Sequence, residues 1–529
     1  MASIREGRDG SNASGRARAS SSGATVRRVS AVLGIQWALT ACAPGAPGAP
    51  DASPMLDAGV SPPCDPAVGG ERCEAPNARI ASPGMFPAYA ADVLDHAVRC
   101  PEGTVTFDVG VPPGVTITLG DQRLSADQTV TLALSPGQSV QGRIEVGGRP
   151  TSHVFRCVPD SFPAISASRT GTPQAEWFIL TPEGPSAGQF VIILDSNGAP
   201  VWWRAADREV FDAKLLPEGI VAWWTEDPVS RLGRYELRTL DGRLVRTVSA
   251  LGADTDMHDL RRTPEGNDLV LSYVPRAHAD LTEVGGPPDV TVLDAEIQEI
   301  SRSGALVWSW NSRGHIALAE TGSWWPVFVG PLMLRRETEA VDQVHINSVE
   351  PDGDGVLFSA RHLNAIYRVD RSSGSITWKL GGTPTAESLR IVGDPRFGAT
   401  SFCGPHDARV LADGTVTLHD NGTRCGRPPR ALRYAIDESA RTATLLEQIV
   451  DAEVAASICC GSAQRLSGGH WFVGWGSSPT VTENAPDGTR VLSLSLPDDS
   501  FSYRTVAVEP GRLSRAELRA GMDAMFPAP

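Results

Sequence analysis

A chain of 529 residues with a formal net charge of −15 and no long basic run is a poor partner for nucleic acid or for an anionic membrane surface. Hydrophobic residues make up 41%, enough for a sizeable core, and the length predicts more than one domain. With 53 glycines, 41 prolines, 13 tryptophans and few apolar i, i+3, i+4 runs, the composition favours short strands joined by turns over helices.

The N-terminus reads as an export signal. Residues 1–26 are polar. Arg27 and Arg28 then precede an apolar run, Val29–Ala41, that is too short to span a bilayer. The run ends Leu39-Thr40-Ala41-Cys42, which resembles a bacterial lipoprotein signal. Residues 1–42 are therefore expected to be a signal peptide with Cys42 lipidated, giving an exported protein anchored to a membrane and facing the periplasm or the cell surface. Residues 43–77, rich in Ala, Pro and Gly, read as a disordered tether. In an oxidising compartment the other eight cysteines become disulfide candidates: Cys64, Cys73, Cys100, Cys157, Cys403, Cys425, Cys459 and Cys460. Locality favours Cys64–Cys73 and Cys100–Cys157, and the pairing of the last four stays open. No cysteine pair has the ligand spacing of a zinc site.

Residues 78–160 alternate apolar and polar side chains between Gly/Pro turns, as in "TVTFDVGVPPGVTITLG". They predict a small N-terminal β-sandwich. Its histidines, His96 and His153, have no convergent partners and read as structural.

Residues 161–529 repeat. One element is a hairpin whose second strand often ends in Trp: "ILDSNGAPVWW", "RTLDGRLVRTV", "EISRSGALVWSW", "RVDRSSGSITWKL", "YAIDESARTATLL" and "ENAPDGTRVLSL". A second element alternates with it: "FDAKLLPEG", "HDLRRTPEG", "HINSVEPDG", "HDARVLADG" and "GSAQRLSGG". Two hairpins per unit make a four-stranded sheet, and six units predict an all-β, six-bladed β-propeller. The second element has five copies, with a sixth missing. The terminal stretch "SYRTVAVE" is expected to close the ring by joining the unit that begins near residue 176. Insertions at 274–293 and 313–342 read as loops.

The five copies of the second element align without gaps, and their first positions are Phe211, His258, His345, His406 and Gly461. Three histidines thus share one position, eight residues before a turn glycine, where the fold accepts Phe or Gly instead. Equivalent positions of successive units lie on one ring, so the imidazoles converge. Arg361, eight residues beyond Gly353, returns to the same end as His345, and Asn347 lies on the same strand face as His345. Three imidazoles, a guanidinium and an amide suit a dispersed oxyanion such as sulfate or phosphate. The imidazoles can also act as bases or nucleophiles. Zinc or iron is the sharper rival, disfavoured by Arg361, and no metal or other cofactor is expected. His278, His315 and His470 read as structural, as do His362 and His419, although His419 could support the site from behind.

The segments "MHDLRRTPEGNDLVLSY", "DQVHINSVEPDGDGVLFSARHLNAIYRVDRSSGSITWKLGG", "PHDARVLADGTVTLHDNG" and "GSAQRLSGGHWFVGWGS" resemble the bacterial arylsulfate sulfotransferases over most of residues 165–510. The resemblance implies a six-bladed propeller behind a small β-sandwich. It implies transfer of a sulfuryl group from an aryl sulfate to a phenol, without a nucleotide donor. It makes His406 the nucleophile that becomes sulfated, and matches His258, His345, Asn347 and Arg361 to sulfate-contacting positions. It also suggests Ser462 as a hydroxyl near the sulfate. Gln343 stands where the family often has Trp. Trp324 and Trp325 are candidates for stacking on the aryl ring. Two other readings compete: a non-catalytic propeller lipoprotein acting as a binding scaffold, and an aryl sulfate hydrolase that uses the same histidine with water.

Overall fold

The computed structural model describes residues 78–322, 340–396 and 402–527, which are nearly all β, with one α-helix, Arg515–Met525. Cys42, Cys64, Cys73, Trp324 and Trp325 lie outside the described residues, as do the expected signal and tether.

Residues 79–158 make two sheets. One has three strands (Arg79–Ala81, Thr104–Gly110, Gln128–Ala133) and the other five (Asp95–Arg99, Val115–Leu119, Gln122–Leu124, Ser139–Val146, Arg149–Val158). The period-two pattern of the sequence sets which face is inside. Thr104–Gly110 buries Val105, Phe107 and Val109, and Val115–Leu119 buries Val115, Ile117 and Leu119. These side chains meet in one hydrophobic cluster with Phe155 and the Cys100–Cys157 disulfide.

Six larger antiparallel sheets follow, each built on four strands, in sequence order in all but the earliest, and three of them have an added strand. The outer two strands of each are joined by one of the six hairpins read in the sequence. The opposite edge of each sheet is a ring strand: Val210–Leu215, Thr255–Arg262, Ile346–Asp352, Pro405–Val410, Ser462–Arg465 and Val506–Val508. Each ring strand packs against the next, and the last packs against the first. The sixth belongs to the earliest sheet, where Val506–Val508 pairs antiparallel with Trp177–Leu180. The closure expected of "SYRTVAVE" is therefore present.

Two sequence expectations need correction. The second element does have a sixth copy, "YRTVAVEPG". Tyr503 stands eight residues before Gly511, as His406 stands eight before Gly414, and both glycines have positive φ (83° and 79°). It was obscured because its partner strands lie at the other end of the repeat region. The segment 274–293 is strand at both ends, with a loop only between Ala279 and Val290. Strands Asp268–Ala279 and Val290–Ile300 continue the hairpin outward, with Val274 opposite Asp294 and Arg276 opposite Val292. The Arg276–Asp294 ion pair (2.7 Å) bridges the extension.

The helix Arg515–Met525 starts at a capping box, with Ser514 and Glu517 satisfying each other's backbone N–H groups. It lays Leu518 and Met522 against the earliest sheet, beside Trp203. Its Arg515 and Arg519 reach Asp95 of the N-terminal five-stranded sheet. Because Leu518 is fully buried here, Leu518→Ala should lower the unfolding free energy by about 2–5 kcal/mol in denaturant titration.

Candidate active site

The ring strands share a local defect that shapes the site. In four of them the pairing register shifts where the aligned position passes into the strand: between Phe211 and Lys214, Thr255 and Leu260, Ile346 and Ser348, and His406 and Arg409. Such bulges re-aim side chains at the end of a strand. They also place Asp212, His345 and Asp407 at positive φ (51°, 50° and 53°), which Asp and His tolerate better than most residues. Side chains of neighbouring units satisfy the backbone N–H groups that the bulges free from the ladder. Ser348 Oγ accepts from Ala408, Asp259 Oδ2 from Val349, and Asp407 Oδ2 from Ala463.

The aligned position reads Phe211, His258, His345, His406, Gly461 and Tyr503 around the ring, and the next reads Asp212, Asp259, Ile346, Asp407, Ser462 and Arg504. The second layer is ionic. Arg504 is buried and pairs with Asp212, Asp259 (3.3 Å) and Asp407 (3.0 Å). Lys214 joins Asp212 (2.6 Å) to Asp259 (2.5 Å), and Arg409 joins Asp259 (2.7 Å) to Asp407 (2.7 Å). Burial alone would raise the carboxyl pKa of Asp259, but Arg409, Lys214 and Arg504 overcome it and hold the group well below its ordinary value. Arg504 also donates to the carbonyls of His258 (2.9 Å) and Asn347 (3.2 Å), so this layer fixes the backbone of the one above.

In that upper layer the rings of His258 and His345 meet edge-on at 4.8 Å. His258 Nδ1 is held by Asp256 and His345 Nδ1 by Asp342, each at 2.5 Å. The Arg361 N–H donates to the His345 carbonyl (3.0 Å), which sets the two residues side by side as their equal distances from the turn imply. His406 is 1% exposed. Its Nδ1 faces the Gly404 carbonyl at 3.1 Å, and the Cys460 N–H donates to its Nε2 at 3.2 Å. That pair of contacts selects the tautomer with the proton on Nδ1 and the lone pair on Nε2. Burial first, then the charge of Arg361 and of the neighbouring histidines, pushes its pKa well below 6.5 and keeps it neutral.

The other sequence candidates fall at different distances from this group. Asn347 bonds to protein: it donates to the Pro405 carbonyl (2.8 Å) and accepts from Ser359. It thereby fixes the backbone just before His406. The Ser462 hydroxyl bonds the backbone of Thr505 (2.8 Å to its carbonyl).

The structure adds residues that the sequence reading placed elsewhere or passed over. His362, read as structural, stacks on His345 at 4.4 Å, and its Nε2 lies 2.9 Å from Arg361 Nη1. Burial, followed by the charge of His345, drives its pKa well below the usual range. Tyr503 contacts the rings of His258 (5.3 Å) and His406 (6.2 Å) and donates to the Asn347 carbonyl (3.1 Å). The eight-residue spacing to Gly511 was the signal that could have found it. Glu183 accepts from the Tyr503 N–H (2.9 Å), and burial raises its carboxyl pKa well above normal. His419 lies opposite His406 in the adjacent strand, and burial lowers its pKa to about 4. Asp342, His345 and His362 could offer three ligand atoms within 4.8 Å of one another, but Arg361 puts a fixed positive charge against that group.

Removing Arg504 tests the supporting layer. Arg504→Met leaves three buried carboxylates facing two cations, and should cost about 3–5 kcal/mol of unfolding free energy in denaturant titration. Arg504→Lys keeps the charge without the fork and should recover part of that loss.

Many solved structures are similar to the chain, those named here at low identity. A protein of unknown function from Bacteroides caccae is 11% identical, with 63% of this chain and 99% of that one covered at a TM-score of 0.40. A putative 6-phosphogluconolactonase from Bacteroides fragilis is 10% identical (65% and 100% covered, TM-score 0.30), and an Hsv2 from Kluyvelomyces marxianus is 9% identical (77% and 96%, TM-score 0.30). No curated protein sequence matches the chain. Residues 241–496, which carry His258, His345, Arg361, His406 and Ser462, match the family model described as arylsulfotransferase (ASST). By that match, and by the motifs that lie within it, residues 241–496 form an arylsulfotransferase family region.

Proposed function

We propose that this protein is an aryl sulfotransferase that takes a sulfuryl group from an aryl sulfate onto His406 and passes it to a phenol, without a nucleotide sulfate donor. The observation that carries this reading is the state of His406: neutral, with Nε2 as its proton-free nitrogen, holding the Cys460 N–H, beside a guanidinium and two more imidazoles. Nε2 gives up the Cys460 N–H and attacks sulfur in line, the N–S bond forms, and the S–O bond to the aryl group breaks to release a phenolate. The other proton stays on Nδ1, hydrogen-bonded to the Gly404 carbonyl, throughout. Arg361, His258 and His345 hold the sulfuryl oxygens, where charge spreads in a loose transition state, and Asn347 sets the backbone from which His406 reaches. A neighbouring imidazole then takes the proton of the acceptor phenol, whose oxygen attacks the sulfohistidine. The two half-reactions give ping-pong kinetics.

The same reading takes the six sheets as the blades of a six-bladed β-propeller formed by residues 161–529, and the two sheets of residues 78–160 as a β-sandwich in front of it. The cycle of ring-strand contacts supports the first, and the shared core supports the second. The Leu-Thr-Ala-Cys motif and the two disulfides support an exported protein anchored through a lipid on Cys42. Trp324 and Trp325 are proposed to face the aryl ring.

Release of 4-nitrophenol from 4-nitrophenyl sulfate should depend on added phenol. Release that proceeds equally without phenol would assign a hydrolase instead. No release at all, with His406→Ala indistinguishable from wild type, would leave a binding scaffold. His406→Ala should lower transfer by at least about a thousandfold.

The pH profile supplies a second test. Because the pKa of His406 is lowered, its proton stays off until the pH falls well below 6.5. The acid limb of kcat/KM should therefore lie below that value, with the rate flat through it. Arg361→Met removes the cation that adds to burial in lowering this pKa, and should move the acid limb of the residual activity upward toward 6.5. An unmoved limb would assign it to another group.

A further inference from the structure

Cys459 and Cys460 take no part in the chemistry above, yet the chain around them holds its two main groups. The described disulfides, Cys100–Cys157 and Cys403–Cys425, leave them out. The Cys460 N–H donates to His406 Nε2 (3.2 Å) and the Cys460 carbonyl accepts from Asn421 (2.9 Å). The Ile458 carbonyl accepts from Arg361 Nη2 (2.7 Å) and from Thr423 (3.2 Å), and the Gly461 N–H donates to the Tyr503 carbonyl (2.9 Å). One short loop thus touches nucleophile, guanidinium and tyrosine through its backbone.

That backbone is in an uncommon conformation. Cys460 and Gly461 are both at positive φ, 69° and 97°. A residue with a Cβ persists there only where its surroundings over-determine it. The glycine that follows has no latitude, since a Cβ on Gly461 would lie 2.6 Å from the His419 ring. Cys459 is partly exposed, and Cys460 and then the positive charge of Arg361 bring its thiol pKa below the usual value. A reachable thiol next to a guanidinium is the kind that enters disulfide exchange.

We propose that Cys459 and Cys460 are joined in the mature protein by a disulfide between adjacent residues, which locks residues 457–461 and so keeps the Cys460 N–H on His406 and the Ile458 carbonyl on Arg361. Formation removes two electrons and two protons from the thiol pair. An external disulfide, carried by a protein or a small molecule, accepts both and becomes two thiols, by the exchange that makes the other two bridges. A loop this short restricts the unfolded chain very little, so the bond acts by fixing the native backbone. The cysteines are positioning residues in this scheme. That role rests on the proposed transfer reaction, whereas the bond itself does not.

Trypsin releases residues 442–465 as one peptide containing both cysteines. From protein denatured and alkylated without reductant, that peptide should be unmodified and two hydrogen masses lighter than the dithiol. Alkylation of both residues overturns the disulfide. For the role, the Cys459→Ser/Cys460→Ser double variant should lower kcat on 4-nitrophenyl sulfate by about ten- to a hundredfold, with KM little changed. It should also speed the modification of His406 by diethyl pyrocarbonate, a readout that needs no turnover. Dithiothreitol should produce both shifts in wild type and neither in the double variant, which retains the other two disulfides. A double variant with wild-type kcat and wild-type His406 reactivity overturns the positioning role. Absence of turnover in every form overturns the sulfotransferase reading, and the peptide mass and His406 reactivity then decide this one.

Discussion

The buried ion network around Arg504 is the constraint on which the site depends. Three carboxylates and three cations, from three ring strands and the segment that leads into a fourth, meet where no single strand could bury any of them alone. Removing such charges from water is costly, and their mutual attraction offsets the cost only when every partner is in place. The network therefore tolerates one relative arrangement of those strands. Because Arg504 also binds the carbonyls of His258 and Asn347, that arrangement extends into the layer where the imidazoles lie.

The two layers have opposite electrostatic characters, one residue apart along the same strands. Below, three carboxylates face three cationic side chains. Above, the Arg361 charge works with burial to keep His406 neutral and to suppress the pKa of His362. On the proposed function, a sulfate ester entering the upper layer meets the Arg361 charge beside imidazoles that Asp256 and Asp342 hold. The bulges make the separation possible by turning consecutive side chains into different layers.

Much of this was legible in the sequence because both governing periods are local. Alternation gave the strands, and the eight-residue spacing to a turn glycine put Phe211, His258, His345, His406 and Gly461 on one ring. Arg361 followed from hairpin symmetry alone. Tyr503 and Arg504 obey the same spacing but sit beyond the last complete unit, so their copy looked like a tail. His362 was set aside because it falls in the short 3-10 turn after the strand Gly355–Ala360, where strand alternation stops describing direction. The ion network was opaque for another reason. Asp212, Asp259, Asp407, Lys214 and Arg409 are ordinary polar residues in strand positions, and only closure of the ring shows that they face one another.

The closure also imposes an order of events. The earliest sheet has its outer strands as soon as residue 205 is made, but its ring strand comes from residues 506–508. All three histidines and Arg361 are in the chain long before Tyr503 and Arg504, and until those arrive the carboxylates lack the cation that spans them. A nascent or truncated chain can therefore hold every reacting group and still have no site. The arrangement is complete only once the strand Val506–Val508 has docked against the first sheet.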